Sequence, residues 1–376
     1  MDQPDEAEEV SFGFRHLPGR WPPRGSARAG GWLIAAAAVA VVVALIAIGP
    51  GRGRSSPSRP HLPFGVTDLG YRLLGVRAGW ELYGYGLGGV VRIQFARGRI
   101  TRTAVPALAS DGPLTFLAGP GGVIIRPLDG VPGYAVPDGR QAHTLSGGLS
   151  QGGTVIPGPG QGTVWVQPPS GSSTMPLVRL DGQAAGPGLR LPSRGPWLVN
   201  PDGQGYALLS GPLLTGLYDV RPGHIRKIAG ELTAVGPTRW LVAGCRGSQH
   251  CANVVIDPAS GARHTLPGKA LVPGSDPGVI APDGSTAAVV QPAGRRLALR
   301  LVNLGSGAEQ TVAVPSGLAL PFGSTLAWSP DSRWLFVVTA SGRLATVDAR
   351  THRVQSLGVP LPPLSQIAIQ NAPSIK

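Results

Sequence analysis

Cys245 and Cys251 frame the stretch CRGSQHC and are the only cysteines in this 376-residue chain. A close pair with no other thiol suits one disulfide in an oxidising compartment. His250 beside Cys251 would make three metal ligands, one short of a tetrahedral zinc set. Ser150 stands in GLSQG, the spacing of a nucleophile elbow. That elbow needs a strand before the serine and a helix after it. SGG precedes and GTVIPGPG follows, so a loop is expected. GPGG (Gly119 to Gly122) and GPGQG (Gly158 to Gly162) are followed by neither a helix nor Gly-Lys-Ser/Thr, which makes them loop turns and not phosphate cradles. The acids are dispersed, with no paired-carboxylate motif and no calcium loop. His143, His224, His264 and His352 recur at corresponding places in a repeat, which spreads them over separate units. No residue is therefore assigned a catalytic, cofactor or metal role, and no cofactor is expected. The Cys245–Cys251 disulfide is the single site expectation, and the ligand-binding residues stay unassigned.

Charge and hydropathy set the surroundings. Basic residues outnumber acidic ones 33 to 20, with only Lys227, Lys269 and Lys376 as lysines. Five of the acids lie in the first nine residues, so the chain beyond about His61 is distinctly basic. Such a surface suits anionic envelope polymers or lipid headgroups. Nucleic acid is not expected, because no long basic run or aromatic-interleaved stripe occurs. Trp32 to Ile48 is an uninterrupted apolar stretch of 17 residues with an indole at its edge, the pattern of one membrane helix. It follows about thirty residues, which favours an uncleaved anchor over a signal peptide or a buried core helix. Four arginines precede it (Arg15, Arg20, Arg24, Arg28) and three follow (Arg52, Arg54, Arg59). That excess, with the cysteine pair, points to a cytoplasmic N-terminus and a large domain outside the cell membrane. The expected division is a short cytoplasmic tail over 1–30, a transmembrane anchor over 31–50, a linker over 51–64 and a folded domain over 65–376.

The folded part is punctuated by 57 glycines and 39 prolines in the whole chain, between short apolar runs, which is an all-β signature. One turn recurs in VNPDGQGYALL (from Val199), IAPDGSTAAVV (from Ile280) and WSPDSRWLFVV (from Trp328), with a shortened copy, VGPTRWLVA, from Val235. Proline presets φ at the second position of such a turn, Asp tolerates the third, and the apolar flanks become adjacent antiparallel strands. A second pattern, a hairpin, begins at residues 93, 135, 178, 218, 256, 302 and 347, with steps of 38 to 46 residues. Asp219, Asp257, Asn303 and Asp348 hold one position in it, where a short polar side chain caps the turn. Seven units with room for four strands match one propeller blade each, and a solenoid is the alternative. Trp165, Trp197, Trp240, Trp328 and Trp334 are expected to pack between blades.

The combination SPDSRWLFVV and GRLATVDARTHRVQSL resembles the WD-repeat-like, TolB-type β-propeller repeat, well over Trp197 to Leu357 and poorly over Trp80 to Pro192. The resemblance implies an all-β propeller of about seven four-stranded blades, preceded by one transmembrane helix, and implies little about activity. LSQIAIQ (Leu364 to Gln370) alternates apolar and polar residues and is expected to close the ring beside YRLLGV or WELYGYG. The function expected is non-catalytic: a membrane-tethered extracytoplasmic propeller that binds a protein or an envelope polymer. A propeller hydrolase with its site in the central channel, or a transmembrane sensor, is the alternative.

Overall fold

The computed structural model describes residues 65–370 apart from short internal stretches at 107, 109–113, 120, 128–131, 151–154, 159–161, 167–173, 191–196, 200–206, 211–216, 222–223, 229, 247–249, 272–277, 295 and 320–323. The expected tail, membrane segment and linker lie outside the described residues. Among those described, no helix is long and apolar enough to cross a membrane. The chain divides into two units, 1–58 and 59–376, and every described residue belongs to the second.

Strands follow the apolar runs, and the glycine- and proline-bearing stretches become the turns between them. Blade I contains β1 (Gly65–Asp68), β2 (Glu81–Gly86), β3 (Gly89–Gln94) and β4 (Arg99–Ala104). Blade II holds β5 (Leu114–Gly119), β6 (Gly122–Pro127), β7 (Tyr134–Pro137) and β8 (His143–Thr144). Blade III holds β9 (Val155–Pro157), β10 (Thr163–Val166), β11 (Thr174–Arg179) and β12 (Ala184–Arg190). In blade IV the strands are β13 (Trp197–Val199), β14 (Ala207–Ser210), β15 (Leu217–Arg221) and β16 (His224–Ile228). Those of blade V are β17 (Glu231–Val235), β18 (Trp240–Arg246), β19 (His250–Ile256) and β20 (Arg263–Leu266). Blade VI is built from β21 (Gly278–Ile280), β22 (Thr286–Ala293), β23 (Arg296–Asn303) and β24 (Glu309–Val312). Blade VII follows with β25 (Leu326–Trp328), β26 (Trp334–Val338), β27 (Leu344–Asp348) and β28 (Val354–Ser356), and β29 (Gln366–Gln370) ends the series.

Blades II to VII are antiparallel meanders in chain order, and blade I runs β1-β4-β3-β2-β29. These seven blades, one per sequence repeat, with V and VI joined in one eight-stranded sheet, make the domain a β-propeller. The second recurring pattern is the hairpin between the third and fourth strands of each blade, and the Pro-Asp turn joins the first strand to the second. The innermost strands of blades V and VI pair in parallel, Ala234 with Gly278 and Val235 with Val279. Side chains extend this neighbourhood. Trp328 Nε1 donates to the Val279 carbonyl at 3.1 Å, and Gln366 Nε2 donates to the Leu114 carbonyl at 2.9 Å. Corresponding ends of these neighbouring blades therefore lie on one side. One side, the turn face, carries the hairpins named above; the opposite loop face carries the links between second and third strands and between blades.

The ring closes as expected. β29 pairs antiparallel with β2 from Glu81–Gln370 to Tyr85–Gln366, so the last strand becomes the innermost strand of blade I. An additional strand was not foreseen: β1 pairs with β4, from Gly65–Arg102 to Asp68–Arg99, as a fifth, outermost strand. Its four residues carry no alternating apolar pattern that would mark it.

The core lies between sheets. Trp80 packs on Phe95 and Phe336, at centroid distances of 4.5 and 5.9 Å, joining blades I and VII. Ile367 of β29 is fully buried in the same cluster. Trp165, Trp240, Trp328 and Trp334 are buried as expected, while the side chain of Trp197 lies outside the description.

Candidate functional site

The densest polar constellation among the described residues sits where the closing strand meets blades I and II. β2 and β3 place two pairs directly opposite each other, Glu81 with Gln94 and Tyr83 with Arg92. Alternation puts all four on one side of the sheet. Arg92 grips Glu81 with two bonds, Nε to Oε2 at 2.5 Å and Nη2 to Oε1 at 2.8 Å. Its Nη2 also reaches Asp138 Oδ2 at 3.1 Å, in the hairpin between β7 and β8. Gln94 Nε2 donates to Glu81 Oε1 at 2.7 Å. The Tyr83 hydroxyl lies 2.6 Å from Asp138 Oδ1, 2.8 Å from Gln370 Oε1 and 3.0 Å from Glu81 Oε2. Burial raises the Tyr83 hydroxyl far above the usual phenol range, and the hydrogen bond to Asp138 and the charges of Glu81 and Asp138 add to that. Burial works to raise the Glu81 carboxyl too, but hydrogen bonds from Arg92 and Gln94 and the Arg92 charge overcome it and hold it low. Tyr83 is 2% exposed. The cluster is a joint that ties strands β2, β3 and β29 to the next blade, with its donors and acceptors turned on one another. Its sequence trace is slight: polar residues at every second position in WELYGYG and GVVRIQF.

The residues singled out in the sequence are positioned apart. Asp257 Oδ1 accepts the amides of Ala259 and Ser260, and Asn303 Oδ1 those of Gly305 and Ser306. Asp348 Oδ1 likewise accepts those of Arg350 and Thr351. The three are hairpin caps. Asp219 is not their equivalent: it pairs with Arg226 within the β15–β16 ladder, which continues to Arg221–His224. His143 and His224 begin outer strands, His264 Nε2 lies 2.8 Å from the Leu304 carbonyl, and His352 is in the β27–β28 turn at φ 57°. Each belongs to a different blade. Ser150 follows a single 3-10 turn and donates its hydroxyl to the Gly147 carbonyl at 2.7 Å. Gly119 and Gly122 are opposite partners in a tight turn. A Cβ on Gly122 would lie 2.3 Å from the Val136 carbonyl oxygen, so backbone approach explains that glycine. Among the described residues, no group of three His, Cys, Asp or Glu converges on one point. Cys245 and Cys251 are opposite partners of the β18–β19 ladder, on the loop face.

Exposed cations remain. On the loop face, Lys269, Arg296 and Arg343 come from blades V, VI and VII and are exposed. No carboxylate among the described residues forms an ion pair with any of them. The sequence does not mark this trio, because the three residues lie 27 and 47 positions apart and only the repeat brings them to one side.

No protein-family model matches the chain, and no curated protein matches it in sequence. Solved structures are similar to it in fold. A functionally unknown protein from Desulfotomaculum acetoxidans is 14% identical and superposes with a TM-score of 0.50, over 77% of this chain and 99% of that one. AztD from Citrobacter koseri (16% identity, TM-score 0.42, 80% and 88% covered) and TolB from Acinetobacter baumannii (11%, 0.42, 79% and 68%) are also similar. At these identities the likeness concerns the fold alone.

Proposed function

We propose that this chain is a non-catalytic, membrane-tethered propeller, held outside the cell by the segment 31–50, that binds an acidic protein surface or an anionic envelope polymer on its loop face. The observation that carries the reading is the exposed trio Lys269, Arg296 and Arg343 on three successive blades with no ion-pair partner among the described residues. Unpaired cations on one face attract a polyanion and steer its approach. The most concentrated titratable groups, by contrast, are engaged in the joint around Tyr83 and in hairpin caps.

The same reading includes a Cys245–Cys251 disulfide. Supporting it, the two residues are directly opposite partners in the β18–β19 ladder. An outside location would keep such a bridge oxidised.

The test is equilibrium binding of the full chain, in nanodiscs of neutral lipid, to poly(glycerol phosphate) and to polyglutamate. Saturable, salt-weakened binding is expected, dropping about tenfold or more in the triple variant Lys269→Ser, Arg296→Ser, Arg343→Ser. Unchanged binding in that variant, or turnover of an ester or glycoside panel by the wild type, would reject it.

A further inference from the structure

We infer that the outer edge of blade I is a membrane-docking surface, seated on the anionic headgroups of the bilayer that the segment 31–50 would enter. The inference rests on the tethered reading above for its geometry, but involves a different surface.

The first support is apolar exposure. Of the three large apolar side chains left exposed among the described residues, Val66 (47%) and Tyr71 (57%) belong to this edge, while the third, Leu87 (49%), lies away from it. Leu87 is at the loop-face turn between β2 and β3. Val66 lies on β1 and Tyr71 just after it. Tyrosine joins an apolar ring to a polar tip and favours the headgroup level of a bilayer.

The second is charge. A depression of about 530 Å³ is lined by Gly70, Tyr71, Arg72, Ala96 and Arg97, and Arg99 lies beside it, opposite Asp68 on β1. Arg72, Arg97 and Arg99 are exposed, and no ion pair among the described residues involves them. Asp68 is the one carboxylate at this edge, and its Oδ1 accepts the Gly70 amide at 3.0 Å. The frame is backbone. Leu69 N–H donates to the Gly98 carbonyl at 2.9 Å and Leu73 N–H to the Phe95 carbonyl at 3.0 Å. Gly98, at φ +62°, lets the two segments close in, since a Cβ there would stand 1.8 Å from the Tyr71 carbonyl oxygen. Three cations and one anion around an exposed tyrosine match an anionic lipid surface.

The third is chain length. Fourteen residues, 51–64, separate the apolar segment from β1. Even fully extended they span no more than ~50 Å. The chain itself therefore keeps β1 within reach of the bilayer.

The experiment compares hydrogen exchange of the full chain in nanodiscs of phosphatidylcholine and of phosphatidylcholine with phosphatidylglycerol. Residues 65–72 and 95–99 should exchange about tenfold more slowly in the anionic nanodiscs. Tyr71→Ser/Arg72→Ser/Arg97→Ser should lose that protection while β26 keeps its own, showing the fold intact. Equal exchange in both lipids overturns the inference. So does equal protection from soluble poly(glycerol phosphate) added to neutral nanodiscs, which would make the edge a polymer site. If carbonate strips the full chain from membranes, the tether has failed and docking is judged alone by flotation. Co-flotation with phosphatidylglycerol vesicles that the triple variant loses would uphold docking, and no flotation would overturn it.

Discussion

Tyr83 has one hydroxyl hydrogen and three acceptors within 3.0 Å of it. The shortest contact, to Asp138 at 2.6 Å, receives that hydrogen. Blade II is thus bonded to a side chain on the second strand of blade I. Tyr83→Phe should destabilise the domain by about 1–2 kcal/mol, the usual cost of leaving buried acceptors short of a donor. A lower urea midpoint with an unchanged slope checks this. Glu81 adds a pH signature. Its carboxyl is held below its ordinary value in the folded chain, so its contribution is complete above the unfolded Glu range and is lost as pH falls through the lower, folded value. The acid limb of stability against pH should be shallower in Glu81→Gln than in the wild type, by urea unfolding between pH 6 and pH 3. None of this was evident in the sequence. Tyr83 and Gln370 are 287 residues apart, and pattern analysis reaches only along a strand or across a hairpin.

Elements were far more legible, for a local reason. Pro282-Asp283-Gly284 and Pro330-Asp331-Ser332 specify their turns by themselves. Gly284 N–H bonds the Ala281 carbonyl and Ser332 N–H the Ser329 carbonyl, while Gly284 and Ser332 take φ of 73° and 58°. The two turns also meet, since Asp283 N–H donates to the Ser332 hydroxyl at 2.9 Å. Asp219 misled because sequence spacing equates positions that the longer β15–β16 ladder takes in. β1 was missed because an outer strand of four residues leaves no period to detect. The closing strand was visible by its alternation, and its weight can be measured. Ile367→Ala should cost about 2–4 kcal/mol, because the side chain is wholly buried beside Trp80 and Phe336. Unfolding curves will show it, and light scattering should rise as the β2 edge becomes available to other chains. On β18–β19, reduction should lower stability by about 2–3 kcal/mol. Thiol alkylation followed by mass spectrometry should label Cys245 and Cys251 only after a reductant is added.

For the whole molecule, the tether and the ring make one joint expectation. Protease added to spheroplasts should degrade residues 65–376 and spare a fragment containing 1–30. A domain protected until the membrane is broken would place it on the other side and remove the outside reading. The seven-fold repeat was legible because a hairpin recurs along the chain at steps of 38 to 46 residues. The proposed binding face was not, because three cations on three blades share no local pattern.

The pairing of β29 with β2 also sets an order of events. Chain synthesis delivers β2, β3 and β4 first and β29 last, so blade I must wait as an incomplete sheet while the other six blades are made. Its inner edge stays open through translation, and for an exported domain through passage across the membrane as well. Emergence of β29 is then the step that commits the ring, and a ribosome stalled short of Gln366 would hold a chain whose first blade still lacks its innermost strand.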